Sequence, residues 1–230
     1  MTIPLLLAAF FAAPVPTPVT MERTVFLMGT RARIVTVAPD REQARGAAEA
    51  AFGTLRAAEE RLSPWTDHSE LSAVNRSPVG EVLPISPRLS EDLARAGACV
   101  EETGGAFDPA LGTLVRVWDL RGDGKIPDES EIRTARRNAG WKYLELRPER
   151  IVRHRQVVIE EGGFGKGAAL DRALRAAAAA GATGVEIDLG GQIARLGAGS
   201  RARPIVVAHP RHRQTPLLEI TLAENEVSAA

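Results

Sequence analysis

Hydrophobic residues recur along the chain with two different periods, one typical of strands and one typical of helices. Residues 24–37 form two extended runs in which apolar and polar positions alternate, interrupted at Met28-Gly29-Thr30. A helix is predicted next, because apolar residues recur there at spacings of four and three. These residues are Ala44, Ala48, Ala51, Leu55, Ala58 and Leu62. We expect the stripe to pack on a sheet or on another helix.

Further helices are predicted from the residues that start and stop them. Ser86-Pro87 combines an N-cap with a first-turn proline, and the helix that it begins is expected to end before Gly104. Asp128 and Glu131 form a capping-box pair, which predicts the start of a third helix. An alanine-rich run after residue 167 predicts a fourth.

The remaining apolar runs are short and extended. Runs at 142–146 and 151–160 flank the turn 147–150 and predict a hairpin. Other extended runs lie at 185–189, 192–196, 204–208 and 217–222. Because hairpins alternate with a few helices, the predicted class is α+β, with an antiparallel or mixed sheet and a few packed helices.

Composition excludes several classes of function. The chain has 230 residues, and its 29 lysines and arginines balance its 29 aspartates and glutamates, so nucleic acid is not an expected partner. Aromatic residues make up only 4%, too few for platforms that stack single-stranded bases. Cys99 is the only cysteine, which excludes an intrachain disulfide, a cysteine-based zinc site and an iron–sulfur cluster. The four histidines are scattered, and we assign no catalysis to them.

The N-terminus resembles an export signal. Residues 1–21 contain no charged side chain, and an apolar stretch at 3–13 precedes a proline-rich run at 14–18. The stretch is too short for a transmembrane helix. The alternative is a leader that precedes a translation start near Met21. In both cases we expect the folded domain to span 22–230, and the predicted location is exported, either periplasmic or membrane-associated.

A glycine-rich turn at 162–167 stands between a predicted strand and a predicted helix. Backbone N–H groups and the positive end of a helix can bind phosphate there, and Lys166 adds a positive charge. The turn is not a Walker A loop, because Gly167 follows Lys166 in place of Ser or Thr, and it lacks the Rossmann fingerprint. Taken alone, it predicts either a diphosphate site or an ordinary tight turn.

Other polar residues allow a functional and a structural interpretation. Asp108 is held extended by the proline that follows it, and it can either accept from a ligand or cap the next turn. Trp65 is either a core residue or a planar wall for an aromatic ring. Ser69 and Ser72 are candidate caps, and Asn75 is a candidate turn residue.

Five spaced segments carry most of this candidate chemistry. In chain order they are Met28-Gly29-Thr30; Leu62-Ser63-Pro64-Trp65 with Ser69-Glu70-Leu71-Ser72 and Asn75; residues 103–109 with 112–115 and Trp118; residues 162–167 with Asp171; and residues 188–191. Together and in this order they resemble the ApbE-type flavin transferases, formerly called thiamine biosynthesis lipoproteins. The resemblance extends over nearly all of residues 24–230 and implies an ApbE-like fold.

The resemblance implies FAD:protein FMN transfer. FAD is bound, Mg²⁺ polarises its pyrophosphate, and a Thr or Ser hydroxyl of an acceptor protein attacks the phosphorus on the FMN side. AMP leaves, and FMN becomes covalently attached to the acceptor. Phosphoryl transfer requires mainly positioning and charge neutralisation, which a glycine turn, a lysine and a divalent cation provide.

The resemblance also implies which residues form the site. The cofactor-binding residues by position are Met28, Trp65, Ala106, Phe107, Asp108, Glu160 and Lys166. Gly163 stands at the position whose backbone carbonyl ligates Mg²⁺ in the family. The catalytic base is not assigned.

The chain also departs from the family pattern. We expect it to be C-terminally incomplete, because residues 226–230 stop short of the family's Thr-Ser-Gly motif and of its remaining metal ligands. Glu160-Glu161 stands where the family usually has Asp-Leu, and no lipid-accepting cysteine lies near the N-terminus. A fragment of a longer gene, a truncated FAD binder and a decayed copy all fit. The alternative functions are therefore a non-catalytic FAD- or nucleotide-binding protein and a protein whose glycine motifs are all turns.

Overall fold

The computed structural model describes residues 17–64, 66–197, 204–221 and 227–229. The strands are β1 (Val19–Leu27), β2 (Thr30–Ala38), β3 (Val82–Pro84), β4 (Leu144–Arg147), β5 (Arg150–Arg153), β6 (Gly184–Leu189), β7 (Gln192–Leu196), β8 (Ile205–Ala208), β9 (Pro216–Ile220) and β10 (Val227–Ala229). The helices are α1 (Arg41–Leu62), α2 (Glu70–Arg76), α3 (Pro87–Glu102), α4 (Gly112–Val117), α5 (Glu129–Arg137) and α6 (Gly165–Ala179). Two 3₁₀ turns, Trp141–Tyr143 and Glu161–Gly163, precede β4 and α6.

Five strands form the main antiparallel sheet, in the order β1-β2-β6-β7-β10. Helices α1 and α6 pack against each other and cover one face of the sheet, where they enclose the larger core. The predicted stripe of α1 is confirmed, because all six of its residues are at most 1% exposed. The predicted α+β class is confirmed as well, and every strand pair in the described residues is antiparallel.

The opposite face of the main sheet carries charged side chains that pair across four strands. Arg33 on β2 donates to Glu22 on β1 at 2.8 Å and to Glu186 on β6 at 2.9 Å. Arg195 on β7 donates to the same Glu186 at 2.8 Å. Opposite charges on neighbouring strands favour this register over its alternatives.

A smaller core lies between helices α2 and α3 and a three-stranded antiparallel sheet of order β3-β5-β4. Its buried residues are Leu62, Leu71, Val74, Ile85, Leu89, Leu93, Ile151 and Ile159. Leu62 is the last residue of α1, so the same helix contributes to both cores.

A buried carboxylate joins the helices of the two cores. Asp92 of α3 is 1% exposed, and its Oδ2 accepts from Nη2 of Arg61 on α1 at 2.9 Å. Its Oδ1 accepts from Arg172 on α6. Because both oxygens are satisfied, the acid is tolerated inside the protein and fixes the three helices at one point.

A second buried charge ends α2. Arg153, which is 2% exposed, donates from Nη1 to the carbonyl of Val157 at 2.6 Å and from Nη2 to the carbonyl of Ser77, the C-cap of the helix. A cation at a helix C-terminus interacts favourably with the last carbonyls. Burial lowers the pKa of the Arg153 guanidinium from its ordinary value.

The predicted helix starts are confirmed in detail. The hydroxyl of Ser86 accepts from the N–H of Leu89 at 3.2 Å, and Pro87 stands in the first turn of α3. Asp128 and Glu131 form both hydrogen bonds of the capping box of α5. Each of these capping hydrogen bonds joins residues that are close in sequence, so its formation does not depend on distant tertiary contacts.

Other boundaries differ from the prediction. Strand β5 ends at Arg153, whereas the extended run was predicted to continue to residue 160, and α6 begins at Gly165, before the end of the glycine turn. Strand β1 begins at Val19, within the segment expected to lie outside the fold. Helix α4 was not predicted. Within the described residues, none of the helices combines the length and the apolar character needed to cross a membrane.

Candidate functional site

Two segments that are distant in sequence run side by side at the centre of the site. The N–H of Glu160 donates to the carbonyl of Pro109 at 2.8 Å, and the N–H of Gly112 donates to the carbonyl of Val158 at 2.9 Å. Gly112 cannot carry a side chain, because a Cβ there would lie 2.4 Å from Cγ1 of Val158 and 2.9 Å from Oε1 of Glu160. The segment that contains residues 106–108 is therefore fixed beside the one that leads into the glycine-rich turn.

Phe107 brings the first segment onto the glycine-rich turn. A Cβ on Gly163 would lie 3.0 Å from Cε2 of Phe107, so the ring packs directly against the backbone of Gly163. Phe107 is half-buried, and Ala106 beside it is exposed. The N–H of Phe107 donates to Oγ1 of Thr103 at 3.1 Å, which closes the loop that follows α3.

Asp108 positions two stretches of backbone. Its Oδ1 accepts from the N–H of Ala110 at 2.8 Å, and its Oδ2 accepts from the N–H of Trp141 at 2.9 Å. The residue thus acts as a cap, one of the two roles that its sequence context allowed. Its contact with a ligand stays a prediction.

Asn75 supplies the pairing that Ile159 lacks after β5 has ended. Asn75 Nδ2 donates to the carbonyl of Ile159 at 2.9 Å, and its Oδ1 accepts from the N–H of Ile159 at 2.8 Å. Asn75 lies near the end of α2, whose N-cap is Ser69, with a hydroxyl that accepts from the N–H of Ser72 at 3.0 Å. The candidate cap role of Ser69 is confirmed, whereas Asn75 pairs like a neighbouring strand.

Two adjacent carboxylates share one guanidinium beside the glycine-rich turn. Nη2 of Arg121 donates to Oε2 of Glu160 and lies 3.3 Å from Oε2 of Glu161. Glu160, Glu161 and Arg121 are all partly buried, at 17%, 19% and 28% side-chain exposure. Burial raises the pKa of the Glu161 carboxyl, and the positive charge of Arg121 opposes that shift.

The start of α6 has the features of an anion site. Within the part of the chain that the structure describes, no side chain caps it, and no acceptor is found for the N–H groups of Gly165, Lys166 and Gly167. The ammonium group of Lys166 likewise has no hydrogen-bond or ion-pair partner among the described residues. A helix N-terminus with unused N–H groups and an adjacent cation is a preferred place for phosphate.

Met28 lies in a strained turn at one end of the main sheet. Met28 and Gly29 connect β1 to β2 with φ angles of 51° and 68°, as a type I′ hairpin requires. This conformation is unfavourable for a methionine. The N–H of Met28 donates to Oε1 of Glu59 on α1 at 2.6 Å, and its side chain is half-buried.

The turn between β6 and β7 joins this hairpin to α6. A Cβ on Gly190 would lie 2.5 Å from Oγ1 of Thr30, so the two turns touch. A Cβ on Gly167 would lie 3.4 Å from Nε2 of Gln192, which follows the same turn. The Met28 hairpin, residues 190–192 and the start of α6 are therefore consecutive neighbours.

The segment 160–164 contributes to the walls of two cavities. A polar cavity of about 170 Å³ is lined by residues including Pro64, Asn75, Arg116, Arg121 and Glu160. A larger cavity of about 490 Å³ is lined by residues including Cys99, Thr103, Phe107, Gly163 and Phe164. Small-molecule sites commonly span roughly 300–1,000 Å³, so the polar cavity fits one part of a large ligand and not the whole of it.

The structure brings most of the predicted site residues together. Glu160, Gly163 and Lys166 lie on one segment, and the segment beside it carries Ala106, Phe107 and Asp108. The hairpin of Met28 contacts residues 190–192, which in turn contact the start of α6. Trp65 lies outside the described residues. Arg121 was missed by the sequence analysis, because nothing in the turn that carries it indicates two glutamates 39 and 40 residues away.

Comparisons with known proteins give a consistent result. The sequence profile described as "ApbE family" matches residues 28–229. An FAD:protein FMN transferase of Treponema pallidum is 29% identical over 186 residues, which are 76% of this chain and 51% of that protein. One from Rhodobacter capsulatus is 28% identical over 207 residues, 86% of this chain and 38% of the relative. The chain thus spans about half the length, or less, of these curated relatives.

Solved structures show the same fold. The ApbE protein of Thermotoga maritima superposes with a TM-score of 0.79 at 27% identity, covering 88% of this chain and 67% of that one. The flavinyl transferase ApbE of Pseudomonas stutzeri in its apo form superposes with a TM-score of 0.75 at 21% identity, covering 90% of this chain and 67% of that one. At that lower identity the likeness concerns the fold alone.

Proposed function

The chain belongs to the ApbE family, and from that premise we propose that it binds FAD and transfers FMN to an acceptor protein in a Mg²⁺-dependent reaction. The hydroxyl oxygen of an acceptor Thr or Ser forms a bond to the phosphorus on the FMN side. The bond from that phosphorus to the bridging oxygen breaks, AMP leaves with the electron pair, and the hydroxyl proton passes to a base or to water. The names of the curated relatives support this activity.

The observation that carries the proposal is the unused cationic start of α6. Its first N–H groups and Lys166 face no acceptor among the described residues, and the segments of Phe107 and Glu160 lie next to it. A diphosphate placed there receives backbone N–H groups and a lysine, while the flavin and adenine extend along the neighbouring segments. Such positioned positive groups are the main protein contribution to phosphoryl transfer.

The residues present fit a magnesium ion in one respect. Within the described residues, no backbone N–H donates to the carbonyl oxygen of Gly163, so that oxygen is available as a ligand. The same residues contain no cluster of three or more histidine, cysteine or carboxylate groups suited to a metal. Mg²⁺ at phosphates usually combines few protein ligands with phosphate oxygens and water. Gly163 would hold the ion at the diphosphate, where it neutralises the charge on the phosphate oxygens.

We also propose that the protein is exported and acts at the periplasmic side of a membrane or in the periplasm. The uncharged, apolar residues 1–21 support this location. Mass spectrometry of the N-terminus of the protein made in a bacterial host tests it. Cleavage after the apolar stretch is expected, and an intact Met1 in a cytoplasmic fraction would contradict it.

Titration with FAD, with and without Mg²⁺, tests the function, with flavin fluorescence as the signal. Saturable binding by the 230-residue chain is expected, and AMP should be released when Mg²⁺ and an acceptor protein with a flavinylation site are added. Binding without AMP release would instead support the non-catalytic alternative. The absence of FAD binding by a folded chain would reject both.

Lys166→Ala tests the placement of the diphosphate. We expect FAD affinity to fall about tenfold or more, because a charge-assisted bond contributes roughly 1.5–3 kcal/mol. Lys125→Ala is the matched control, since the Lys125 ammonium pairs with Glu131 at 2.8 Å on the surface. If the two variants bind FAD with equal affinity, Lys166 does not contact the diphosphate.

A further inference from the structure

Arg121 reaches the proposed phosphate site from a separate part of the chain. It lies in the turn after α4, where the N–H groups of Gly122 and Gly124 both donate to the carbonyl of Asp119, at 3.1 and 3.2 Å. Asp119 itself has a φ of 50°, in the left-handed region that aspartate adopts more readily than most non-glycine residues. The two hydrogen bonds to its carbonyl close the turn in which Arg121 lies.

The two carboxylates that Arg121 contacts are also fixed. Glu160 is held by the bond of its N–H to Pro109, and its Oε1 packs against Gly112. Glu161 folds toward the first turn of α6, since its Cγ lies 3.2 Å from the position that a Cβ of Gly165 would take. The side chain of Glu161 thus passes beside Gly165, one of the residues whose N–H groups would bind the diphosphate of FAD.

Negative charges of the ligand and of the protein would repel each other at the proposed diphosphate site unless a positive group compensates them. The diphosphate of FAD is negative, and Glu160 and Glu161 bring two further negative charges to the segment that must receive it. In a partly buried site, charges interact much more strongly than in water. Lys166 and the start of α6 attract the diphosphate, whereas unpaired carboxylates next to them would repel it.

Resting on the function proposed above, we propose that Arg121 is a positioning residue of the FAD site, which holds Glu160 and Glu161 together and cancels the charge that Glu161 adds. Arg121 touches neither the reacting atoms nor the flavin in this account. It acts through the two glutamates, and a guanidinium suits that task because its planar group can donate to two carboxylates at once. The requirement for Arg121 therefore depends on Glu161 being charged.

A set of four proteins tests this dependence: the wild type, Arg121→Gln, Glu161→Gln and the double variant. FAD affinity is measured by fluorescence titration, and folding is checked by thermal unfolding. We expect Arg121→Gln to weaken binding about tenfold or more, which corresponds to about 1.4 kcal/mol. Glu161→Gln should bind at least as tightly as the wild type, and the double variant should return to within about threefold of Glu161→Gln.

Several outcomes would overturn the inference. If the double variant binds as weakly as Arg121→Gln, then Arg121 contacts FAD directly or supports the fold. If Arg121→Gln binds like the wild type, Arg121 has no role. Arg133→Gln is the matched control, because Arg133 lies on the surface, where its Nη1 pairs with Oε1 of Glu129 at 2.6 Å, and it lines neither of the two cavities. If the control variant loses as much FAD affinity as Arg121→Gln does, and if adding Glu161→Gln to it does not restore binding, the loss reflects the overall positive charge of the protein. That result would contradict a specific role for Arg121.

The test remains interpretable if a variant fails to fold or if the wild type does not bind FAD. If Arg121→Gln does not fold, Arg121→Lys replaces it: a compact ammonium pairs with one carboxylate, so binding should be weakened in the single variant and normal when Glu161→Gln is added. Binding that is equally weak in both backgrounds would contradict the inference. If the wild type itself does not bind FAD, the proposed function fails first and the inference fails with it. Wild-type binding with the wrong pattern among the variants rejects the inference alone.

Discussion

The side-chain amide of Asn75 takes the place of a neighbouring strand for Ile159, by donating to its carbonyl at 2.9 Å and accepting from its N–H at 2.8 Å. Ile159 is fully buried, so both backbone groups would be costly without a partner. The next residue is Glu160, which lies at the proposed FAD site. One amide on α2 therefore sets the path of the chain into the site.

Asn75→Ala is expected to destabilise the protein by about 1–3 kcal/mol, because two buried backbone groups lose their partners. FAD affinity should fall in the same variant, since the backbone that leads directly into Glu160 loses two of its hydrogen bonds. Chemical unfolding and FAD titration measure the two effects. Asn138→Ala is a suitable control, because the Asn138 side chain makes an exposed bond of 3.2 Å to the carbonyl of Thr134. A stability equal to that of this control would contradict the role of Asn75.

Substitutions of Asp108 distinguish a cap from a ligand contact. Asp108→Ala removes the carboxylate oxygens that accept from the N–H groups of Ala110 and Trp141, and we expect a loss of about 2 kcal/mol in unfolding free energy together with weaker FAD binding. Asp108→Asn keeps one acceptor oxygen and should be intermediate in both measurements. If FAD affinity falls in Asp108→Asn while its stability matches the wild type, the carboxylate contacts FAD directly.

The two glycines of the 3₁₀ turn before α6 form a matched pair. In Gly163→Ala the new Cβ would lie 3.0 Å from the Phe107 ring, whereas in Gly162→Ala it would meet open space. We expect Gly163→Ala to displace the ring and weaken FAD binding at least about threefold, because tight contacts are relieved only by movement. Gly162→Ala should bind as the wild type does. If the FAD titration curves of the two variants are indistinguishable, the contact between Gly163 and Phe107 does not affect FAD binding.

Met28→Asn separates strain from function in the first hairpin. Asparagine tolerates a left-handed backbone better than methionine does, but it loses the packing of the half-buried side chain. We expect an unfolding free energy within about 1 kcal/mol of the wild type and a lower affinity for FAD. Thermal unfolding measures the change in stability, and titration with FAD measures the change in affinity. Unchanged affinity would mean that the methionine side chain is not part of the site.

Local signals in the sequence predicted much of the fold. The stripe of α1, the Ser86 cap and the Asp128–Glu131 box each lie within a few residues of the element that they define, so they are readable without tertiary context. The order of the five motif segments predicted the family, which the profile match over residues 28–229 confirms.

The site could be predicted only in part. Residues 157–160 resemble a strand in composition, yet their partners are a side chain on α2 and the backbone around Pro109. Arg121 could not be assigned, because its partners lie 39 and 40 residues away and a single arginine in a glycine-containing turn has no distinctive pattern. Such contacts depend on the closure of long loops, for which the sequence carries no periodic signal.

The order of strands in the main sheet has a consequence for synthesis on the ribosome. Strand β2 lies between β1 and β6, but β6 begins at Gly184, long after β2 has ended at Ala38. A nascent chain therefore presents one open edge of its first hairpin while all of the intervening helices are translated. Arg31 and Arg33 lie on that edge strand, and charged side chains on an open edge discourage pairing with another chain.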